Sequence, residues 1–405
     1  MRVLLINNYH YKKGGSDVVY FNTAELLQLN GHEVYFFSTD HAENVSSRQA
    51  EYFTPNHDFR NASIIQKIKA IPAFIYDKKA HDKLLVMLDE IQPDIAHIHL
   101  FMGGLSSSIL TALHQKKIPV IQTVHDYRLL CPAFSFTDGD NNICELCKDK
   151  FYLRCMIKKC SEKNLAQSAM LSFDAYFRKY IVKPVNLIDQ FIFVSSFSME
   201  KHIEFEPSYK SKALKLFNFN PQLHTVKPAP LKGNYFLFYG RLSAEKGLDI
   251  LIKAALMANI PLKVVGTGPL MEKFENTSFD NIEFLGFKQG SELWDLVRNA
   301  SFVVVPSVWY ENNPLTIVEA YSYGKPVIGS KVGGIPEIIE ESETGYLFQM
   351  GDEEDLAAAL QKANNVSESR YSQMSANARQ FAEIHFNPDL HYHELMNIYN
   401  NLKLN

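Results

Sequence analysis

Two doubly wound α/β lobes are the fold class the sequence predicts. Three observations carry it: the length, a strand–helix rhythm along the whole chain, and a proline-rich break that splits the rhythm in two. A chain of 405 residues exceeds a single α/β core. With 46% hydrophobic and 21% charged residues, its composition is that of an ordinary globular protein. A net charge of -4 gives no general reason to expect nucleic acid as a partner.

Taken in order, residues 2–7 read as a strand, 17–30 as a helix closed by Gly31, and 33–38 as a second strand. Further strands are expected at 94–98, 119–124 and 190–194. The stretch 221–230, with Pro221, Pro228 and Pro230, reads as an interdomain linker. Beyond it come strands 235–239, 262–265, 282–285, 302–305, 327–328 and 346–348, with helices between them. Such alternation implies parallel sheets covered by helices on both faces. Ligands in this architecture bind at the carboxyl ends of the strands, so two facing lobes would share one cleft. The expected division is 1–215, 216–380 and a terminal segment 381–405, whose apolar residues read as a helix packing back across the lobes. The opening apolar run is too short for a signal peptide, and no run is long enough to span a bilayer. A cytoplasmic protein is expected, either free or peripheral on the inner face of a membrane.

Charge is unevenly spread. Between Lys150 and Lys183 there are eight Lys or Arg against Glu162 and Asp174, and between Glu337 and Asp355 eight acids and no base. The basic segment interleaves Lys158, Lys159, Lys163, Arg178, Lys179 and Lys183 with Met170, Leu171, Phe173, Tyr176, Phe177 and Ile181. It reads either as an amphipathic helix resting on an anionic membrane surface or as a core-facing helix with a solvated basic edge.

The strand at 235–239 runs into Gly240-Arg241-Leu242-Ser243-Ala244-Glu245-Lys246-Gly247. Gly240 permits a tight exit, and Arg241 and Lys246 place two cations at the strand's carboxyl end. A departing diphosphate needs such donors opposite its growing negative charge. The strand at 302–305 leads into a loop with Glu311, Asn312 and Asn313, then a helix whose first turn Pro314 fits, its missing N–H costing nothing there, with Leu315, Thr316 and Glu319 following. Free N–H groups at that helix start suit a phosphate. Glu311 is placed to meet a sugar, and Glu319 to accept from ribose hydroxyls. For either motif alone, a solvated loop or helix is an equal or better reading.

Together these features resemble the retaining glycosyltransferases of glycosyltransferase family 4, which have the two-lobed GT-B fold. The resemblance rests on GRLSAEKG at 240–247, VVGTGP at 264–269, Glu311-x7-Glu319, and GKPVIGSKVGGIPEII at 324–339. In the first lobe it is looser, through Gly14-Gly15, PDIAHIHL at 93–100 and His125-Asp126. It implies that Arg241 and Lys246 bind the donor diphosphate, Glu319 the ribose and Glu311 the transferred sugar. His125 would then lie near that sugar, and Gly14-Gly15 near the phosphates and acceptor. The family often has Phe-Gly where this chain has Asn313-Pro314, and proline offers no N–H to a donor. The implied reaction moves a sugar, with retention, from a nucleoside diphosphate sugar to a hydroxyl of a saccharide or lipid-linked acceptor in polysaccharide or glycoconjugate assembly. UDP-sugars are the default donors, and the chemistry needs no cofactor. The alternatives are a sugar-nucleotide epimerase of the same fold or a silent sugar-nucleotide-binding partner of an assembly complex.

Other residues receive plainer readings. Met271 stands where a dinucleotide loop at 264–269 would need its third glycine. Asp138-Gly139-Asp140 is a favoured turn, and His97 and His99 alternate along a strand as packing residues. All five cysteines fall between Cys131 and Cys160. Cys144-x2-Cys147 has the spacing of a zinc knuckle, and a structural zinc is expected on Cys131, Cys144, Cys147 and Cys160, with Cys155 spare or exchanged for Cys160. Buried free thiols, or disulfides in an oxidising compartment, are the alternatives.

Overall fold

The computed structural model describes residues 1–56, 64–274 and 279–403. The chain divides into two compact units, Met1–Leu216 with Tyr392–Asn405, and Phe217–His391. Each is built on a six-stranded, wholly parallel sheet, so the expected pair of Rossmann-like α/β lobes is present.

In unit 1 the strands are β1 (Arg2–Ile6), β2 (Glu33–Phe37), β5 (Ile95–Ile98), β6 (Val120–Val124), β7 (Gln190–Phe193) and β8 (Ala213–Lys215), in the order β2-β1-β5-β6-β7-β8. A two-stranded pair, β3 (Thr39–Asp40) with β4 (Thr54–Pro55), stands apart from it and has too few residues for an alternating pattern. The inner strands are nearly continuous apolar runs, as burial on both faces requires. On one face Val3, Leu5, Ile95, Ile121 and Ile192 pack with Tyr20 and Leu27 of the helix Gly15–Leu29, and with Leu395, Ile398 and Tyr399 near the C-terminus. The last helix, Pro388–Lys403, thus joins unit 1 from Tyr392 onward. Polar bonds fix it there: Tyr399 Oη to His97 Nδ1 at 2.7 Å, Tyr392 Oη to His32 Nε2 at 2.9 Å, and Lys403 Nζ to Asp94 at 2.9 Å. Leu404 and Asn405, the last two residues of the segment expected to pack back, lie outside the described residues.

Unit 2 contains β9 (Phe236–Tyr239), β10 (Leu262–Val265), β11 (Ile282–Phe284), β12 (Val303–Val305), β13 (Val327–Ser330) and β14 (Gly345–Phe348), in the order β11-β10-β9-β12-β13-β14. Alternation divides each strand between two cores. Phe236, Phe238, Val264 and Val304 face one, and Leu237, Tyr239, Val265 and Val303 face the other. The strand order reverses between β9 and β12, which opens a crevice at their carboxyl ends. The proline-rich stretch read as a linker packs within unit 2. Leu223 is fully buried, Ala229 N donates to Tyr323 O at 2.9 Å, and the unit begins at Phe217.

The loops after β9 and β12 touch through Gly247, which adopts φ 72°, and a Cβ there would stand 1.8 Å from Pro306 O. Gly286 has φ 66° with open space around it. Gly286→Ala should therefore cost only the left-handed penalty, about 1 kcal/mol. Gly247→Ala should cost clearly more, because backbone must also move. Chemical denaturation of both variants checks this, and equal losses would contradict the close approach.

Candidate active site

At the crevice of unit 2, four loops are drawn together by backbone contacts. Leu242 N donates to Thr267 O at 2.9 Å, Val308 N to Glu245 O at 2.9 Å, and Gly334 N to Glu311 O at 2.7 Å. Gly333, at φ 60°, lets its turn reach Glu311, whose carbonyl oxygen would lie 2.1 Å from a Cβ. The loops after β9, β10, β12 and β13 are thereby fixed around one place.

Two of the side chains singled out from the sequence meet there. Lys246 Nζ lies 2.6 Å from Glu311 Oε1, and the same oxygen accepts from Ser307 Oγ at 2.7 Å. Glu311 is only 6% exposed. Burial pushes its carboxyl up, yet the attraction and hydrogen bond of Lys246 outweigh that and hold it below the ordinary glutamate value. The Lys246 ammonium also sits 5.2 Å from the centre of the Trp309 ring. Arg241, on the same loop, is exposed; its carbonyl accepts from Ser243 N at 3.0 Å, and its guanidinium has no ion-pair or hydrogen-bond partner among the described residues.

The helix Leu315–Ser322 begins beside them, capped by Pro314 in an extended conformation. Pro314 thus stands at the cap, one residue before the first turn. The N–H groups of Leu315 and Thr316 open the helix, where the dipole favours negative charge. Asn313 is held by Asn218, whose backbone N donates to its Oδ1 at 2.9 Å, while its buried Nδ2 has no acceptor among the described residues. Glu319 accepts from Tyr239 Oη at 3.1 Å, and that hydroxyl also reaches Thr316 O at 3.0 Å. The residue keeps some solvent exposure, but desolvation raises its carboxyl to about 7 against a smaller lowering from Tyr239.

In unit 1, Gly14 caps the first helix, and its N donates to Asp17 Oδ2 at 2.9 Å. Asp17 is buried, accepts from Asn7 Nδ2 at 2.8 Å, and has its carboxyl raised by burial. Neither strained φ nor crowding demands glycine at 14, since a Cβ would come no closer than 3.9 Å to a neighbour. Gly15 is exposed beside it. His125 follows β6, and its Nε2 lies 2.9 Å from His99 Nδ1 with the rings nearly parallel. Desolvation lowers it to about 4, so the imidazole is neutral near pH 7. His97 packs as expected, bonded to Tyr399 and Thr123, and His99 stacks on it at 4.7 Å.

Ser307, Tyr239 and Asn218 escaped the sequence reading, and each holds a predicted residue without belonging to a motif. His99 was read only as a packing residue, yet it holds His125. The clue for His99 was its place two residues from His97 at a strand end.

The cysteines share one neighbourhood in the insertion 131–160. A hairpin returns Cys144 N to Phe136 O at 2.7 Å, and its Asp138-Gly139-Asp140 tip lies on the backbone of Lys158 and Lys159. All five are free thiols. Burial pushes Cys131 and Cys147 to about 12, burial also raises Cys144, and a Cys155–Cys160 hydrogen bond raises the former and lowers the latter. Among the described residues no group of three or more His, Cys, Asp or Glu forms a metal-holding set.

Comparison with known proteins bears on both units. A family model described as glycosyl transferases group 1 matches residues 220–381, and one described as Glycosyltransferase Family 4 matches 13–208. An uncharacterized glycosyltransferase of Methanocaldococcus jannaschii, MJ1607, is 26% identical over 82% of this chain and 80% of its own length. A second from that organism, MJ1178, is 34% identical over 37% of this chain and 43% of itself. The amylovoran biosynthesis glycosyltransferase AmsK of Erwinia amylovora is 28% identical over 44% and 47%. Among solved structures, sucrose-phosphate synthase of Thermosynechococcus elongatus superposes with a TM-score of 0.69 at 19% identity, covering 99% of this chain and 98% of that one. Anabaena HepE, solved in complex with UDP, gives 0.64 at 17%, covering 99% and 100%. The likeness establishes the GT-B fold, and the family models support a glycosyltransferase related to family 4.

Two outcomes test this geometry. Lys246→Ala leaves Glu311 buried without its cation. Because Lys246 keeps some solvent, the loss should be about 2 kcal/mol, below the about 3–5 of a fully buried pair. Unchanged stability in denaturant would contradict the pairing. Glu319 has a raised carboxyl, so its contribution to stability is full below about 4.5 and is lost as pH rises through about 7. Glu319→Gln should remove that decline, and denaturation at the two ends of the window measures it.

Proposed function

We propose that the chain is a retaining glycosyltransferase. It would move a sugar from a nucleoside diphosphate sugar, a UDP-sugar first, to a hydroxyl of a saccharide or lipid-linked acceptor in polysaccharide or glycoconjugate assembly. The observation that carries the reading is the set of loops at the strand-order reversal of unit 2. There Arg241, its guanidinium without a partner among the described residues, and the Lys246–Glu311 pair stand before a helix start. Support for the donor comes from HepE, solved with UDP, and for the biosynthetic setting from the amylovoran enzyme.

In this proposal Arg241, Lys246 and the N–H groups of Leu315 and Thr316 receive the diphosphate. Asn313 Nδ2 offers a further donor, which compensates for the N–H that Pro314 lacks. Glu319 accepts the ribose hydroxyls, and Glu311 a hydroxyl of the sugar. His125, kept neutral, hydrogen-bonds a sugar hydroxyl, and Gly14-Gly15 offer open backbone to phosphate or acceptor. As the anomeric C–O bond to the diphosphate breaks, negative charge grows on oxygens facing Arg241 and Lys246. The acceptor oxygen forms the new bond from the same face, and its proton passes to the departing diphosphate oxygen.

A structural zinc on Cys131, Cys144, Cys147 and Cys160 is a separate proposal. It rests on their shared neighbourhood, and the metal would have to draw the sulfurs together. Elemental analysis of protein purified without added metal should find about one zinc per chain. Metal-free protein with five freely reacting thiols overturns it.

The transferase reading is tested with a panel of nucleotide sugars, whose slow hydrolysis reports donor choice without an acceptor. A UDP-sugar should be hydrolysed, and failure to bind or hydrolyse any member overturns the reading. Arg241→Ala should lower turnover at saturating donor by ~10². Glu319→Ala should weaken donor binding by about 1.5–3 kcal/mol. A 2′-deoxyribose donor should lose less from that substitution, and equal losses would remove Glu319 from the ribose.

A further inference from the structure

We propose that a cationic pocket in unit 1 receives the phosphate headgroup of an anionic lipid, with the apolar stripe beside it resting in the bilayer. The pocket is a cavity of about 340 Å³ between the cysteine insertion, the turn Arg178–Val182 and the segment around Tyr209. Arg128, Lys148, Lys150, Arg178, Lys179 and Lys183 line it, against a single acid, Glu206.

The internal pairings leave positive charge over. Arg178 is taken by buried Asp174 at 2.8 Å, and Lys148 by Glu204. Lys150 and Lys179 converge on one oxygen of Glu206. Burial pushes that carboxyl up, yet the two lysines and Ser208 bring it to about 2, so one anion already serves two cations. Lys183 is exposed and has no carboxylate partner among the described residues. Arg128 Nε lies 4.0 Å from Asp126, so against Asp126, Asp174, Glu204 and Glu206 the six cations keep a surplus of two. A phosphate is a natural counter-charge for several converging donors.

The source of the phosphate is argued from the neighbouring surface. The helix Leu165–Phe177 and the turn after it bury a polar face: Ser168, Ser172, Asp174 and Arg178 are all below 9% exposed. Apolar groups point outward instead, with Phe173 at 59%, Tyr180 at 55% and Ile181 at 67% exposure. Leu165, Phe173 and Tyr180, spaced eight and seven apart, fall on one stripe. A soluble phosphate compound has no use for such a stripe, whereas an acyl or prenyl chain attached to the phosphate does. The helix is therefore the reverse of a core-facing helix with a basic edge: its cation is inside and its hydrocarbon outside.

The inference does not depend on the transferase reading, and its test reads binding alone. The full chain is sedimented with vesicles of phosphatidylcholine, alone or mixed with phosphatidylglycerol, and separately titrated with inorganic phosphate. The mixed vesicles should carry the protein down, less so as salt rises. Lys183→Glu should weaken that binding about tenfold or more, since each lysine near an anionic surface is worth about fivefold. Ile181→Ser should weaken it as well, and both variants should keep the thermal unfolding of the parent. Equal binding to both vesicle types, or binding untouched by Lys183→Glu, overturns the proposal. Tight binding of inorganic phosphate without vesicle binding assigns the pocket to a soluble phosphate and overturns it too.

Discussion

The ion pair of Lys246 with Glu311 ties the second unit's chemistry to its fold. A carboxylate only 6% exposed is costly unless a cation sits against it, and Lys246 supplies one at 2.6 Å from a different loop. Gly247 follows that lysine directly and presses on the carbonyl of Pro306, so the position of the ammonium is set by backbone contact. One of the two cations proposed to receive the diphosphate is thus also the one that stabilises the proposed sugar-binding carboxylate. An incoming diphosphate would compete with Glu311 for Lys246, while the Arg241 guanidinium, which has no partner among the described residues, would have none to give up.

Unit 1 presents its polar groups in another way. His97, His99 and His125 form a stacked series at the ends of β5 and β6, anchored at one side by Tyr399 of the last helix. The C-terminal residues therefore reach, through two imidazoles, the ring that the family resemblance places beside a sugar. Farther along, the insertion and the helix after it invert the usual burial of charge. Arg178 is enclosed with Asp174, while Phe173 and Ile181 face solvent. No described helix is long and apolar enough to cross a membrane.

Much of this was legible in the sequence because parallel strands buried on both faces must be short apolar runs, as the inner strands of the two sheets are. β8 escaped because Ala213-Leu214-Lys215 is a short edge strand with two exposed residues. The linker was misplaced because proline marks a break in regular structure, and breaks also occur in well-packed loops such as 221–230. At the site, residue types and spacing pointed to Arg241, Lys246, Glu311 and Glu319. The pairing of Lys246 with Glu311 spans 65 residues and was invisible, so the two were read in separate motifs. For the basic segment, composition showed amphipathicity, but only the structure shows which face is buried.

The central claim is that Lys246 exchanges its carboxylate for the donor's diphosphate. Calorimetric titration of UDP into the parent protein, Glu311→Gln and Lys246→Ala tests it most directly. Removing the carboxylate's charge frees the ammonium, so UDP should bind Glu311→Gln at least as tightly as the parent, while Lys246→Ala binds it about tenfold or more weakly. Equal weakening in both variants would mean that the pair acts only as a structural clasp, and would contradict the account.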